Sequence, residues 1–476
     1  MRLIFLALFV IGQNVLGQRD CCEEYCYGKD GEKPQTRQYA TKTAYQLVKG
    51  KDHGSQYFVP DCKPTKIWIL SRHGTRLPNA KTINKLHELE TLRDEIIKNY
   101  RERRSQPLRG ALCSEDLFSI QTWRLNTNIT QEYADHLTTQ GWSDMKYLAK
   151  AYQRTFPELL ENSYNSNAFQ FRHTGTQRTE ASFKAFVEGL FGFNAHDRIR
   201  LPPVPAEDFL LRPTDNCKLW VKQNDEKSAP GSEIDKFEKS DLMAETIRNI
   251  SMRLGFKFSL DMSQIELIWD MCRFEQAWHV DRISTWCAAF TPEEVSVLEF
   301  GEDLRYYYKN GYAYELNSRV ACHSVQDMMR HLQSSGEPHA VAYFTHTVTI
   351  QSFLTALGIA KDNDALRADN YYSMNRREWK TSRLGPFGAN FVAVKYECPN
   401  DARDKNKVLF SLNQNPVMLD WCRVGLCDWS DFLSKYERFL NADCNDYYCE
   451  NNSGVRLHAP FTLFALLLVY LKFLNY

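Results

Sequence analysis

Three short apolar runs, each breaking off into a loop that carries histidine or arginine and then into a helical pattern, constrain the fold of this chain most. The first is residues 66–70 (KIWIL), followed at once by Ser71, Arg72, His73 and Gly74. The second is residues 168–171 (AFQF), followed by a polar loop over 172–178 and a helix whose Phe183, Phe186, Val187 and Leu190 share one face before Gly192. The third, residues 340–344 (AVAYF), runs into Thr345 and His346 and then a helix containing Ile350, Phe353, Leu354 and Leu357. A short apolar run bounded by turn residues reads as a buried strand, and apolar spacing of three and four marks one face of a helix. Strands alternating with helices predict an α/β sheet, in which ligands bind beyond the carboxyl ends of the strands. All three polar loops sit at such ends.

Between and beside these units the pattern is helical. Residues 83–103 and 131–160 have charged helical periodicity, with Gln140 and Gly141 opening a helix through Met145, Leu148 and Tyr152. Residues 201–315, rich in aromatic side chains such as Trp269, Phe274, Trp278, Trp286 and Tyr306, read as an inserted, mainly α-helical domain. The 476 residues exceed the ~250 to 300 at which a single core stops growing, yet no repeat or long Gly/Ser linker separates two units. Interleaved units are therefore expected: a first part of the α/β core over 18–200 with a helical excursion at 83–160, the insertion over 201–315, and a second part of the core over 316–450.

Lys+Arg and Asp+Glu both number 59, so no global charge draws the chain to nucleic acid, and any anion site has to be a local cluster. Residues 1–17 have the charged start, apolar stretch and small terminal residues of a cleaved signal peptide ending at Gly17, and that stretch is shorter than a membrane span needs. All 14 cysteines follow it, an even count that suggests disulfides in an oxidising compartment. The close groups Cys21, Cys22, Cys26 and Cys422, Cys427, Cys444, Cys449 lack the histidines of a zinc finger. Asn128, Asn249 and Asn451 stand in glycosylation triplets. Residues 459–476 are largely apolar and follow the small cluster Asn452, Ser453, Gly454, the layout of a GPI-attachment signal with Asn452 as the attachment residue and 453–476 removed. A secreted or cell-surface glycoprotein, held at the outer face of the membrane by a lipid anchor, is the expected location.

Residues 72–78 (RHGTRLP) place an imidazole between two guanidinium groups in a tight turn directly after a buried strand. Two cations forced beside a histidine are costly unless an anion sits there, and arginine suits phosphate because its planar fork donates two hydrogen bonds and stays charged. A neutral His73 can attack phosphorus while Arg72 and Arg76 hold the equatorial oxygens through the transition state. Arg178, in the second unit, is a candidate third guanidinium, and His346, at the third strand end, a candidate second imidazole. Each has a plainer reading when taken alone. Arg72 or Arg76 would be a salt-bridge residue, Arg178 would simply begin its helix with Arg172 competing for its role, and His346 would be structural. Lys81 is either a further phosphate contact or a solvated helix lysine.

This constellation and its flanks resemble the branch of the histidine phosphatase superfamily that includes acid phosphatases and phytases, whose signature is RHGxRxP, and most of all its multiple inositol polyphosphate phosphatases. The likeness runs in order through residues 72–86, 137–148, 172–186, 272–322 and 408–416, and covers nearly all of 60–450. The resemblance implies a mixed sheet flanked by helices with an inserted α-helical domain, a phosphohistidine intermediate at His73, and phosphate ligation by Arg72, Arg76, Arg178 and His346. It favours Arg178 over Arg172, since Gln177-Arg178-Thr179 at the helix start matches the family. It implies no cofactor and no metal, and inositol polyphosphates such as inositol hexakisphosphate as substrates.

One feature of the family is missing. Its members carry a carboxyl after the second histidine, either Asp next to it or Glu in the string His-Ala-Glu, which protonates the leaving alcohol; here Thr347 and Val348 stand there, leaving the proton donor unknown. Loss of a general acid costs about 10²- to 10⁴-fold in rate. An active phosphatase is the expectation, with two alternatives: a catalytically impaired protein that binds polyanions, and a general acid phosphatase of small substrates.

Overall fold

The computed structural model describes residues 25–50, 57–102, 110–226, 229–422 and 425–449. The leader, Cys21, Cys22, Asn451, Asn452 and residues 453–476 lie outside them. No helix among the described residues is long and apolar enough to cross a membrane.

The first apolar run lies within β1 (Lys63–Arg72), the second within β2 (Phe169–His173) and the third within β3 (Ala340–Thr345). Four later strands complete one mixed sheet: β4 (Asn390–Glu397), β5 (Asn406–Leu412), β6 (Asn415–Pro416) and β7 (Leu426–Asp428). The order is β2-β3-β1-β4-β5-β6, with β7 also on β5. β3 is parallel to both β1 and β2, whereas β4 runs antiparallel to β1. β1 and β2 extend past their apolar runs, because the ladder continues through Arg72 opposite Thr345 and through His173 opposite Phe344. Apolar patterning does not register such polar strand ends.

Ile67, Trp68, Ile69 and Leu70 have no exposed surface at all, as expected for a strand covered on both faces. Alternation sends them into two different cores. Trp68 and Leu70 join Val341, Tyr343, Phe391 and Phe410 on one side of the sheet. Ile67 and Ile69 join Ala342, Phe344 and Val392 on the other. That second side is closed by the helices Thr139–Thr155, through Met145, Leu148 and Tyr152, and Gln177–Phe191, through Phe183, Phe186 and Leu190. The first helix starts where Thr138 Oγ1 accepts from the Gly141 N–H, at 3.1 Å. The first side is closed by Cys322–Gln333 and Thr347–Leu357, and beyond them by the long helices Met262–Trp278 and Pro292–Asn310. Both long helices open with reciprocal capping boxes, Asp261 with Gln264 and Thr291 with Glu294.

Six disulfides pair the twelve cysteines among the described residues: Cys26–Cys113, Cys62–Cys398, Cys217–Cys449, Cys272–Cys287, Cys322–Cys444 and Cys422–Cys427. Asn128 is exposed at a turn, while Asn249 is half-buried in the helix Asp241–Arg253.

Candidate active site

Because β1, β2 and β3 are mutually parallel, their carboxyl ends bring Arg72, His173 and Thr345 to one edge of the sheet, and the loops that follow meet there. His73 leaves β1 with its N–H donating to Thr345 O at 3.0 Å, and it is 3% exposed. His346 follows Thr345 and caps the helix Thr347–Leu357. The two imidazole rings lie edge to face with centroids 5.7 Å apart.

The turn after His73 is built from close backbone contacts. A side chain on Gly74 would sit 2.6 Å from Gly141 O, and one on Gly141 would sit 2.2 Å from Thr75 O, so both glycines are needed for the approach. Thr138 donates to Thr75 O from both its N–H, at 2.9 Å, and its hydroxyl, at 3.0 Å. Leu77 N–H donates to His136 O, and Asp135 N–H to Pro78 O, each at 2.9 Å. From below, the Thr75 hydroxyl reaches buried Asp144 at 3.4 Å; burial pushes that carboxyl up to about 6, against the hydrogen bonds of Gln46, Gln140 and Thr75. Ser182 ties the loop to the Arg178 helix, accepting from Gly74 N–H at 3.0 Å and donating to Arg178 O at 2.6 Å.

Arg72 is buried and Arg76 and Arg178 are half-buried, with few counter-charges among them. Arg72, 4% exposed, donates to Thr41 O and Gly385 O and stacks over the Phe387 ring at 4.6 Å, with no carboxylate partner among the described residues. Its Nε has no hydrogen-bond partner, nor has the Nε of Arg178. Burial, with Arg76 nearby, pulls the Arg72 guanidinium down to about 9. Arg76 pairs with Asp135 at 2.9 Å and packs 5.7 Å above the Phe274 ring, while Trp278 Nε1 donates to Arg76 O. An unpaired buried cation is expensive, and an anion at this edge would offset the cost.

The histidines are set for neutrality by the same cations. Burial, then Arg72 and His346, hold His73 well below the ordinary imidazole value; burial, Arg178 and Arg212 bring His346 down to about 3. His73 Nδ1 lies 2.8 Å from Gly74 O. A carbonyl only accepts, so Nδ1 carries the proton and Nε2 keeps its lone pair for attack on an electrophile. His346 Nε2 shares a 2.9 Å hydrogen bond with the Thr174 hydroxyl. One consequence is measurable. The neutral, nucleophilic form of His73 persists as pH falls through 6.5, so kcat/KM on an aryl phosphate should show no enzyme limb at the ordinary imidazole value, once the substrate's own ionisation is subtracted. A limb near 6.5 would contradict this environment.

The structure thus brings Arg72, His73, Arg76, Arg178 and His346 together. Arg172, the competitor of Arg178, is instead paired with Asp208 at 3.1 Å. Lys81 is exposed in the first turn of the helix Ala80–Lys85, outside the buried cluster. Thr347 is buried, its methyl group against Gly385, and Val348 is half-buried against the apolar core. Sequence reasoning missed Asp135, Arg212 and Phe387. No local pattern marks any of them as a site residue, and only the folded chain brings them here. It also missed a cavity of about 280 Å³ walled by Lys42, Asp270, Arg273, Glu302, Arg305 and Tyr306. Lys42 joins that cavity to the site, since its Nζ lies 5.7 Å from the same Phe274 ring that carries Arg76.

Comparison with known proteins agrees with this arrangement. The model of the histidine phosphatase superfamily (branch 2) matches residues 65–413. The chain is 48% identical over 474 residues to multiple inositol polyphosphate phosphatase 1 of Drosophila melanogaster, covering 98% of each. It is 25% identical to the Homo sapiens protein of the same name, over 87% of this chain and 88% of that one. Among solved structures, the phytase from D. castellii matches with a TM-score of 0.69 at 18% identity, over 88% of both chains. The Bifidobacterium longum multiple inositol polyphosphate phosphatase in complex with inositol hexasulfate matches with a TM-score of 0.59 at 14% identity, over 81% of this chain and 94% of that one. At such identities the structural likeness speaks for the fold alone.

Proposed function

The chain belongs to the histidine phosphatase superfamily, branch 2, and from that premise we propose that it is a phosphomonoester hydrolase acting on inositol polyphosphates through a phosphohistidine at His73. The observation that carries this reading is the pairing of a neutral His73, whose Nε2 is free for attack, with a buried Arg72 that lacks any carboxylate partner among the described residues. A phosphoryl group supplies the missing negative charge. Arg72, Arg76 and Arg178 hold its equatorial oxygens, and His346 contacts it from the third strand end. The Nε2 lone pair attacks phosphorus, the ester bond breaks, and water then releases orthophosphate from the imidazole. Relatives named multiple inositol polyphosphate phosphatase across nearly the full length support the substrate class.

The test is phosphate release from inositol hexakisphosphate by the purified protein between about pH 4 and 8, the range over which carboxyls and histidines titrate. Release is expected, and its rate relative to that on a small aryl phosphate separates this reading from a general acid phosphatase. Thr347 and Val348, which offer no acid, favour a second reading: a polyanion-binding protein with impaired catalysis. A wild type that binds inositol hexakisphosphate without turnover, together with a Val348→Glu variant that turns it over, would establish that second reading.

The six disulfides fit an oxidising, exported setting. We further propose attachment to the outer cell surface through a GPI anchor at Asn452, on the strength of the carboxyl-terminal residue pattern. Phosphatidylinositol-specific phospholipase C is expected to release the protein from expressing cells; retention on the membrane would contradict the anchor.

A further inference from the structure

A leaving alkoxide needs a proton, and the two positions after His346 supply none. Three carboxyl groups act on the charged side chains of this site, Asp270, Glu302 and Asp135, and a fourth, Asp144, meets the nucleophile loop through Thr75. Asp144 lies beneath the loop with both oxygens occupied, Oδ1 by Gln46 and Gln140 and Oδ2 by Thr75. Asp270 and Glu302 are bound by buried Arg273, and Lys42 pairs with Asp270. Against the penalty of burial, Lys42 and Arg273 hold both carboxyls below the usual carboxylate range, a poor state for donating a proton.

Asp135 is also held by an arginine, its Oδ1 lying 2.9 Å from Arg76 Nη1, but its side chain is 36% exposed, so solvent reaches it. Its charge acts on Arg178 as well, which places it between two guanidinium groups of the site. Its backbone adopts the left-handed conformation, φ 63°, which suits only glycine and, less well, Asn or Asp. The bond from its N–H to Pro78 O, and the neighbouring bond from Leu77 N–H to His136 O, hold it there. Strain of this kind persists where surrounding structure enforces it, and here it presents a carboxyl beside the nucleophile loop.

We propose that Asp135 is the proton donor to the leaving oxygen, taking the part played elsewhere in the family by the carboxyl after the second histidine. The inference rests on the phosphatase reading above. Arg76 and Arg178 are the charged groups that face Asp135. A bound phosphoryl group engages both and lies beside the carboxyl. In the first step His73 Nε2 forms the bond to phosphorus, the bond from phosphorus to the ring oxygen breaks, and that oxygen takes the Asp135 proton. In the second, water attacks the phosphohistidine and gives its proton to the Asp135 carboxylate as the bond to Nε2 breaks, releasing orthophosphate and restoring both residues.

The experiment compares kcat/KM of wild type and Asp135→Asn on inositol hexakisphosphate, whose leaving group is a poor alkoxide, and on 4-nitrophenyl phosphate, whose leaving group departs without a proton. Asparagine accepts the left-handed backbone and keeps an oxygen for Arg76, while it removes the acid and its charge. A fall of about 10²- to 10⁴-fold on inositol hexakisphosphate, with little change on the nitrophenyl ester, is expected. An equal fall on both substrates would mean that Asp135 only positions Arg76, and an unchanged rate on inositol hexakisphosphate would mean that the proton comes from another group; either overturns the inference. If the wild type hydrolyses neither ester, the phosphatase reading itself fails and takes this inference with it.

Discussion

His73→Ala should lower phosphate release from inositol hexakisphosphate by about 10⁴-fold or more, the scale expected when a nucleophile is removed and the binding groups stay. The side chain is buried, but alanine leaves intact the N–H bond to Thr345 O that fixes the end of β1, so the loop keeps its course. Binding should survive, because the arginines and His346 remain. Removing an imidazole that already resists protonation leaves the charge of the site unchanged near neutral pH. Calorimetric titration with inositol hexakisphosphate beside the kinetic assay separates the two effects. Loss of turnover with retained affinity supports a nucleophile, whereas loss of both would point to a collapsed loop.

Arg72→Ala should cost about 10²- to 10³-fold in kcat, the amount expected for one preorganised donor to transition-state charge. Arg72→Lys should recover little of it. Arg72 spans Thr41 O, Gly385 O and the Phe387 face through one planar group, and an ammonium has neither the fork nor the stacking surface. Near-full activity in Arg72→Lys would show that charge alone is wanted there. The buried position without a carboxylate partner also predicts that inorganic phosphate raises the melting temperature of the wild type more than that of Arg72→Ala, since a ligand that binds only the folded state stabilises it more the more tightly it binds.

Much of this site was legible in the amino-acid sequence because its main residues stand at strand ends. An apolar run such as 66–70 declares a buried strand, and the residues directly after it are placed at the sheet edge by the chain itself. Arg72, His73 and His346 therefore came with their position as well as their type, whereas the loop of the second unit left Arg178 and Arg172 in competition and the family resemblance chose Arg178. Arg172 shows the limit of such reasoning. It lies on the same stretch, yet its partner Asp208 is remote in the chain, and no local pattern announces the pair. Asp135 reaches the site the same way, across a turn beside the glycine contact between Gly74 and Gly141, and Phe387 through its N–H bond to Thr43 O and that of Gly388 to His73 O. In the antiparallel half of the sheet, β6 and β7 are two and three residues long and carry no periodicity, while the apolar runs of β4 and β5 end in no histidine-bearing loop that would single them out.

The two neutral imidazoles share one edge with four guanidinium groups, counting Arg212, and of the two it is His73 whose Nδ1 is committed to a carbonyl next to the strand. That asymmetry supports the proposal of His73 as the nucleophile. The most direct measurement is therefore to mix the protein with substrate carrying labelled phosphate, quench in alkali within milliseconds, and map the label. A base-stable, acid-labile phosphoryl group on His73, absent from His73→Ala, is the predicted result. Turnover with no trapped label, or label on His346 or any other residue, would contradict the central claim.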